Sequence, residues 1–173
     1  MSFNLEIQAN IVLKKMLLDR GFTDIEESKE NFSLFGKDSD GNKILTSICN
    51  EDKVSIQSIK DFISIMNKDG YHYCIIIYRD SVTSSAKKSL EIMEYNIELF
   101  NINELQLNIT EHRLVPKHEK PTKEEIEFLD KNYKGKLPII LTTDPISRYY
   151  HYKRGEYIKI TRQNGNILYR LVK

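Results

Sequence analysis

Glu51-Asp52-Lys53 is the triplet in this chain whose side chains best suit chemistry. Carboxylates can hold a divalent cation, and an adjacent lysine can stabilise charge developing on a phosphate. With Asp38 or Asp40 from the preceding turn, the triplet has the composition of a Mg²⁺-dependent nuclease site built on Asp40, Glu51 and Lys53. A chain with 29% charged residues also produces such triplets by chance, and that is the favoured reading. His72 and Cys74 alternate along one apolar run and could offer two zinc ligands. A closed zinc site needs four ligands and no spaced partner pair accompanies them, so packing in a core is preferred. His112 and His118 fall in one short stretch, and hydrogen-bonded structural histidines are the ordinary reading there. Gly135 and Gly155 are isolated and read as turn glycines, with no phosphate-cradling loop around them. After Thr143 the chain has seven Lys and Arg against two acidic residues. Arg148, Lys153, Arg154, Lys159, Arg162, Arg170 and Lys173 are interleaved with Tyr149, Tyr150, Tyr152, Tyr157 and Tyr169. Positive charge of this kind suits nucleic acid, while Arg with Tyr suits a protein interface, and the two readings stand level. These residues assign no catalytic group, no cofactor and no metal site.

The elements that must position these residues follow from periodicity. Leu5, Ala9, Val12, Leu13, Met16 and Leu17 have helical spacing, stopped by Gly21. Phe32–Phe35 and Lys43–Cys49 flank Asp38-Ser39-Asp40-Gly41, a hairpin signal. Ile59, Phe62, Ile63 and Met66 mark a second helix ending near Gly70. Tyr71–Tyr78 is a short continuous apolar run, which favours a buried central strand. Ser84 or Ser85 can cap a third helix running to about Tyr95. A short strand is expected around Leu105–Ile109, then an extended turn imposed by Pro116. Thr122 with Glu125 forms a capping box ahead of Ile126, Leu129 and Tyr133, and Gly135 ends that helix. Leu137–Leu141 contains Pro138 and so reads as an edge strand. Asp144 before Pro145 predicts a short helix over Ile146–Tyr150. Asn164-Gly165 between Tyr157–Arg162 and Ile167–Val172 predicts a closing hairpin.

The order helix, hairpin, helix, strand, helix describes a small α/β sandwich, and the rest a smaller α+β unit. Residues 1–100 have 12 Lys and Arg against 16 Asp and Glu, whereas residues 101–173 have 14 against 9. The change of sign places the domain boundary between residues 102 and 103 and implies different neighbours for the two parts. Apolar content of 40% is that of a folded protein. Cys49 and Cys74 sit apart in apolar runs and read as reduced thiols of an intracellular protein. The opening Met1-Ser2-Phe3-Asn4-Leu5-Glu6 has no secretory-signal pattern, and the run Cys74–Tyr78 is far too short to cross a bilayer, so no membrane is expected.

The stretch Asn108-Ile109-Thr110-Glu111-His112-Arg113-Leu114-Val115-Pro116-Lys117-His118 resembles a segment of one family throughout its length. That family is the shared, fifth-largest subunit of the eukaryotic nuclear RNA polymerases, together with its smaller archaeal counterpart. Asp144-Pro145-Ile146-Ser147-Arg148-Tyr149, Lys153-Arg154-Gly155 and Tyr169-Arg170-Leu171-Val172 match in order and spacing. Lys53–Lys60 and the pair Ile75–Ile77 and Thr83–Lys87 resemble the family more loosely. Both halves are matched, which is the eukaryotic architecture, since the archaeal counterpart consists of the second half alone.

The resemblance implies a non-catalytic subunit of a multisubunit DNA-dependent RNA polymerase. Residues 1–102 would be a jaw domain near downstream DNA, with a fold like that of restriction endonucleases. Residues 103–173 would be an assembly domain docking on the largest subunit. It implies a partner-binding role for His112, Pro116, His118, Asp144, Pro145, Arg148, Tyr149, Arg154 and Gly155. It also implies a DNA-proximal role for Thr83, Ser84, Ser85, Lys87 and Lys88, where a helix N-terminus with nearby lysines makes weak, sequence-independent phosphate contacts. Three departures stand out. Ser84 replaces the family's proline, His151-Tyr152 stands where relatives often have glycine, and the loop Gln163–Asn166 is short. These point to a divergent lineage, with a virus-encoded polymerase among its candidates. The expected location is then the nucleus for a cellular subunit, and the cytoplasm or virion for a viral one. The alternatives are a stand-alone nuclease and a free DNA-binding transcription regulator.

Overall fold

Apolar side chains on more than one side of the first helix, α1 (Ser2–Asp19), commit it to a core. Ala9, Leu13, Met16 and Leu17 are fully buried. The helix ends where Gly21 turns left-handed at φ +91° and the Phe22 N–H returns to the Leu17 carbonyl at 3.0 Å. The computed structural model describes residues 2–28, 32–133 and 135–173. They divide into two units, Met1–Leu107 and Asn108–Lys173.

In the first unit, β1 (Thr23–Ser28), β2 (Ser33–Lys37) and β3 (Lys43–Ile48) are followed by β4 (Lys53–Val54) and α2 (Ile56–Asp69). Then come β5 (Tyr71–Tyr78), β6 (Ser81–Val82), α3 (Ser84–Ile92) and β7 (Asn96–Asn101). The main sheet has the order β1-β2-β3-β5-β7, and β4 pairs with β6 separately. The hairpin β2–β3 closes with Lys37 opposite Lys43, whereas β3, β5 and β7 run parallel. Alternation along β5 sends Cys74 and Ile76 to the face covered by Ile59 and Met66 of α2 and Ala86 of α3. Ile75 and Ile77 are equally buried on the other face. Arg20, just past α1, reaches Glu98 of β7 with two bonds of 2.6 and 3.0 Å.

Several sequence expectations need correction. No strand forms at Leu105–Ile109. The Asn101 side chain accepts from the Asn103 N–H at 2.9 Å and the Asn108 side chain from the Thr110 N–H at 3.0 Å, drawing the chain into two 3₁₀ turns instead. Ile102 and Leu105 of the first turn are buried and pack with α1. The first unit therefore extends to Leu107, beyond the boundary suggested by charge. α3 is capped by Thr83, whose hydroxyl accepts from the Ala86 N–H at 3.3 Å, and not by Ser84 or Ser85. His72 is exposed at the start of β5 and is not a core residue.

The second unit contains β8 (Lys117–Glu119), α4 (Lys123–Tyr133), β9 (Ile139–Ile140), α5 (Pro145–Tyr150), β10 (Tyr157–Thr161) and β11 (Ile167–Val172). Its sheet has the order β8-β10-β11-β9, which puts the proline-led β9 at an edge. Ile158, Ile160 and Val172 form a core with Ile140, Ile146 and Tyr152. The opposite face, with Lys159 and Tyr169, meets α4 through Glu125. The whole chain is thus mixed α/β with several sheets.

Candidate docking site

The stretch Asn108–His118 is built by local hydrogen bonds and then anchored by apolar contacts. After the Asn108-capped turn, His112 is exposed and its Nδ1 accepts from the Leu114 N–H at 3.3 Å. Ile109 and Val115 pack on the second core. Pro116 is half-buried, and its carbonyl accepts the Nδ1–H of His118 at 2.8 Å. That bond fixes the tautomer and leaves Nε2 as the acceptor nitrogen. β8 then places His118 opposite Ile160 of β10. Burial pushes the imidazole below its ordinary pKa, against the opposing pull of the Pro116 hydrogen bond and of Asp144.

α5 has only six residues, too few to be stable without external constraints. Asp144 caps it, its Oδ1 accepting from the Ile146 N–H at 2.9 Å, and Pro145 supplies the preset backbone of the first turn. Ile146, Ser147 and Tyr149 are buried, while Arg148 is half-buried. His151 ends the helix in the left-handed conformation at φ +56°, and the Tyr152 N–H returns to the Ser147 carbonyl at 2.9 Å. Tyr150 meets Tyr149 edge-on at 5.0 Å and stacks on Tyr152 at 5.2 Å. Tyr149 is therefore internal packing that sets the helix orientation. Arg154 and Gly155 follow on the exposed surface. Gly155 takes φ +92° while its N–H bonds the Val172 carbonyl at 2.9 Å. A side chain there would meet no neighbour, so the glycine serves backbone conformation alone.

The expected partner-binding residues thus gather in one unit, on the Asn108–His118 stretch, α5 and the turn after it. The expected DNA-proximal residues lie in the other unit, at the start of α3. There Thr83 is occupied as the cap and Ser84, Ser85, Lys87 and Lys88 are exposed.

Of the nuclease-like carboxylates, Glu51 and Asp38 are engaged separately. Glu51 accepts from the Ser58 hydroxyl at 2.6 Å. Asp38 accepts from the Asn42 side chain at 2.9 Å and from the backbone of Asn42 and Asp40, and the Asn42 side chain leads in pulling its pKa down. Among the described residues, no three His, Cys, Asp or Glu side chains lie together as a metal site would require. Cys49 and Cys74 are free and buried, and burial pushes the Cys74 thiol up to about 12, an inert packing residue.

Sequence reasoning missed Glu125 as a hub. Beyond its capping bond from the Thr122 N–H at 2.8 Å, it accepts from Lys159 and from the Tyr169 hydroxyl, each at 2.7 Å. The capping box announced the first bond, but nothing local announces partners 34 and 44 residues away. The Lys159 bond leads in holding the Glu125 carboxyl down at about 2.

A mixed α/β unit is thus followed by a small basic unit whose motif residues shape one surface. Residues 107–172 match the family "RNA polymerase Rpb5, C-terminal domain". The chain is 37% identical over 157 residues to the "DNA-directed RNA polymerases I, II, and III subunit rpabc1" of Dictyostelium discoideum, covering 83% of this chain and 80% of that one. It is 40% identical over 129 residues to the corresponding subunit of Caenorhabditis briggsae and to that of Caenorhabditis elegans, spanning 61% of each. The chain belongs to the Rpb5 family of DNA-directed RNA polymerase subunits, and as a member it is a structural component and not an enzyme. A solved structure titled "Structure of EndoMS in apo form" is similar over 47% of this chain and 38% of that one, at 19% identity and a TM-score of 0.31, too slight a likeness to argue from.

Proposed function

We propose that the chain is the architectural subunit of a multisubunit RNA polymerase that docks its second unit on the largest subunit and brings its first unit to downstream DNA. The observation that carries this reading is identity across both units to a polymerase subunit, together with a second unit whose shared motifs converge on α5 and the stretch before β8. His112, Pro145 and Arg154 offer exposed groups, and Arg148 a half-buried one. Pro116, His118, Asp144, Tyr149 and Gly155 hold the backbone that presents them. Arginine beside aromatic side chains is the composition of strong interface residues.

The first unit, a mixed sheet with helices on both faces, is the jaw. We liken its fold to that of restriction endonucleases, with no cluster of three His, Cys, Asp or Glu side chains among the described residues. Ser84, Ser85, Lys87 and Lys88 at the start of α3, with Thr83 shaping the turn, meet phosphates without reading sequence. The work is intracellular, in the nucleus for a cellular polymerase and in the cytoplasm or virion for a viral one. No observation favours the nuclease or the free regulator.

The test is Arg148→Glu with Arg154→Glu in a tagged chain, followed by purification of the polymerase. Recovery of the two large catalytic subunits is expected to fall sharply while the chain stays folded. Unchanged recovery would remove these arginines from the interface.

A further inference from the structure

The loop between β10 and β11 and the stretch before β8 border an open groove of about 470 Å³. Arg113, Leu114 and Pro116 form one lip, and Arg162, Gln163 and Asn164 form the other. The strand register brings the lips together. Thr161 is the last residue of β10 to pair with β8, opposite Lys117, so Arg162 and Pro116 follow side by side just beyond that pair. Ile158 and Ile160 of β10 lie in the core against which Ile109 and Val115 of the stretch pack, and alternation carries Arg162 to that same face. The Gln163 side chain then donates to the Arg113 carbonyl at 2.7 Å and ties the hairpin loop to the stretch. Leu114 is left 76% exposed next to the half-buried Pro116, so the groove offers apolar surface as well as charge.

The charge names the occupant. Arg113 and Arg162 are both exposed, and neither guanidinium has a carboxylate partner among the described residues, whereas Lys117, Lys120 and Lys159 of this unit are all paired. No acidic residue lines the groove. The acids nearest in sequence are engaged elsewhere, Glu111 by the Asn108 side chain at 3.0 Å and Glu119 by Lys117 at 2.7 Å. Two arginine forks on a groove that lacks its own counter-charge fit carboxylates. A nucleic-acid backbone would call for a longer track of free cations and would leave Leu114 and Pro116 in water, whereas a polypeptide covers both. We propose that this groove seats a segment of the polymerase subunit met by the second unit, with an Asp or Glu between Arg113 and Arg162 and an apolar side chain on Leu114 and Pro116. The inference rests on the docking reading, since Pro116 belongs to both surfaces, and it adds the β10–β11 loop to the surface made by α5 and the stretch before β8.

The experiment places a photocrosslinker at Leu114 (Leu114→benzoylphenylalanine) in the full chain, purifies the assembled polymerase, irradiates it and maps the attached peptide by mass spectrometry. Asn164→benzoylphenylalanine, on the opposite lip, serves if the Leu114 probe blocks assembly. The expected result is one segment of another polymerase subunit with an Asp or Glu within a few residues of the attachment point. The yield is expected to fall about tenfold or more in Arg113→Glu with Arg162→Glu, because reversal sets like charges against each other. Changing the mapped Asp or Glu to Lys in the partner should then restore it. Arg162→Glu alone, outside the docking stretch, gives the same comparison if the double variant is not recovered. Attachment to nucleic acid, attachment to a second copy of this chain, no attachment from either lip, or a yield indifferent to charge reversal overturns the proposal while leaving the docking reading intact. An unsubstituted chain that is not recovered with the polymerase overturns the docking reading, and this inference with it.

Discussion

His151 occupies a backbone position that favours glycine. At φ +56° and ψ +41° it is the left-handed C-terminal residue of α5, and its N–H bonds carbonyls of the last turn. For an L-residue this conformation costs about 1–2 kcal/mol, and histidine stands toward the lower end because it visits the region more readily than most side chains. Glycine relieves that cost but loses more freedom on folding, which takes back part of the gain. The net expectation for His151→Gly is a stabilisation of about 0.5–1 kcal/mol. For cooperative unfolding of a chain this size, that is a rise in Tm of roughly 1–4 °C. The side chain could confuse the reading, because His151 Nε2 contacts Lys153 Nζ. His151→Ala resolves this, since it removes the side chain and keeps the left-handed strain. Thermal unfolding of the three full-length chains, followed by near-ultraviolet circular dichroism at neutral pH, should rank glycine above histidine and alanine lowest or level with histidine. Glycine no more stable than alanine would show that the backbone conformation is not what limits this helix end, and the argument from φ would fail.

Two further outcomes are expected. Glu125 has its folded pKa lowered from the ordinary 4.5 to about 2, so its stabilising effect is complete above about pH 4.5 and is lost as pH falls toward about 2. Glu125→Gln should therefore lower Tm at pH 7, and the gap from wild type should close across that acid window; a gap constant from pH 7 to pH 2.5 would show that the carboxylate charge is not what the hub uses. Lys87→Glu with Lys88→Glu should weaken duplex binding by the assembled polymerase without altering assembly, and for each phosphate no longer neutralised the slope of log affinity against log salt should shrink by about 0.9. An unchanged salt slope would place the start of α3 away from DNA.

The sequence makes the punctuation of the fold easy to read and its pairing hard. Gly21, Gly70, the Thr122–Glu125 box, Asp144-Pro145 and Asn164-Gly165 each act within a few residues, and each marks a turn or helix end in the structure. β1 and β7 escape sequence reasoning because they are short edge strands. Thr23–Ser28 has no fully buried residue, and in Asn96–Asn101 the alternation is only Ile97 and Leu99 about Glu98, too short a run to stand out beside the helix before it. The Leu105–Ile109 strand fails for the opposite reason. Its apolar residues suit a strand, but Asn101 and Asn108 offer local bonds that win. At the candidate docking site the motif residues can be named from sequence, but not their division into support and surface, because burial of Tyr149 and His118 depends on strands that meet only in the folded unit.

That division sharpens the functional reading. A motif shared across a family mixes residues needed to shape a loop with residues needed by its partner. Asp144 is accounted for by its cap, Pro145 by the first helical turn, Tyr149 by burial, Gly155 by φ +92° and His118 by its bond to the Pro116 carbonyl. Every one of these would be required if the unit merely folded. Arg154 is different. It is exposed, it lies outside α5, and it follows Lys153, whose positive charge would be just as useful for solubility. A guanidinium kept beside a conformationally demanding glycine makes sense if the turn exists to present it. Arginine's planar fork recognises a partner's carboxylate or carbonyls in a way a lysine does not. Most of the loss of assembly in the Arg148→Glu, Arg154→Glu chain is therefore expected from Arg154. Arg154→Lys, which keeps charge and removes the fork, should reproduce a substantial part of it, whereas full recovery of the catalytic subunits with Arg154→Lys would reduce the residue's role to charge alone.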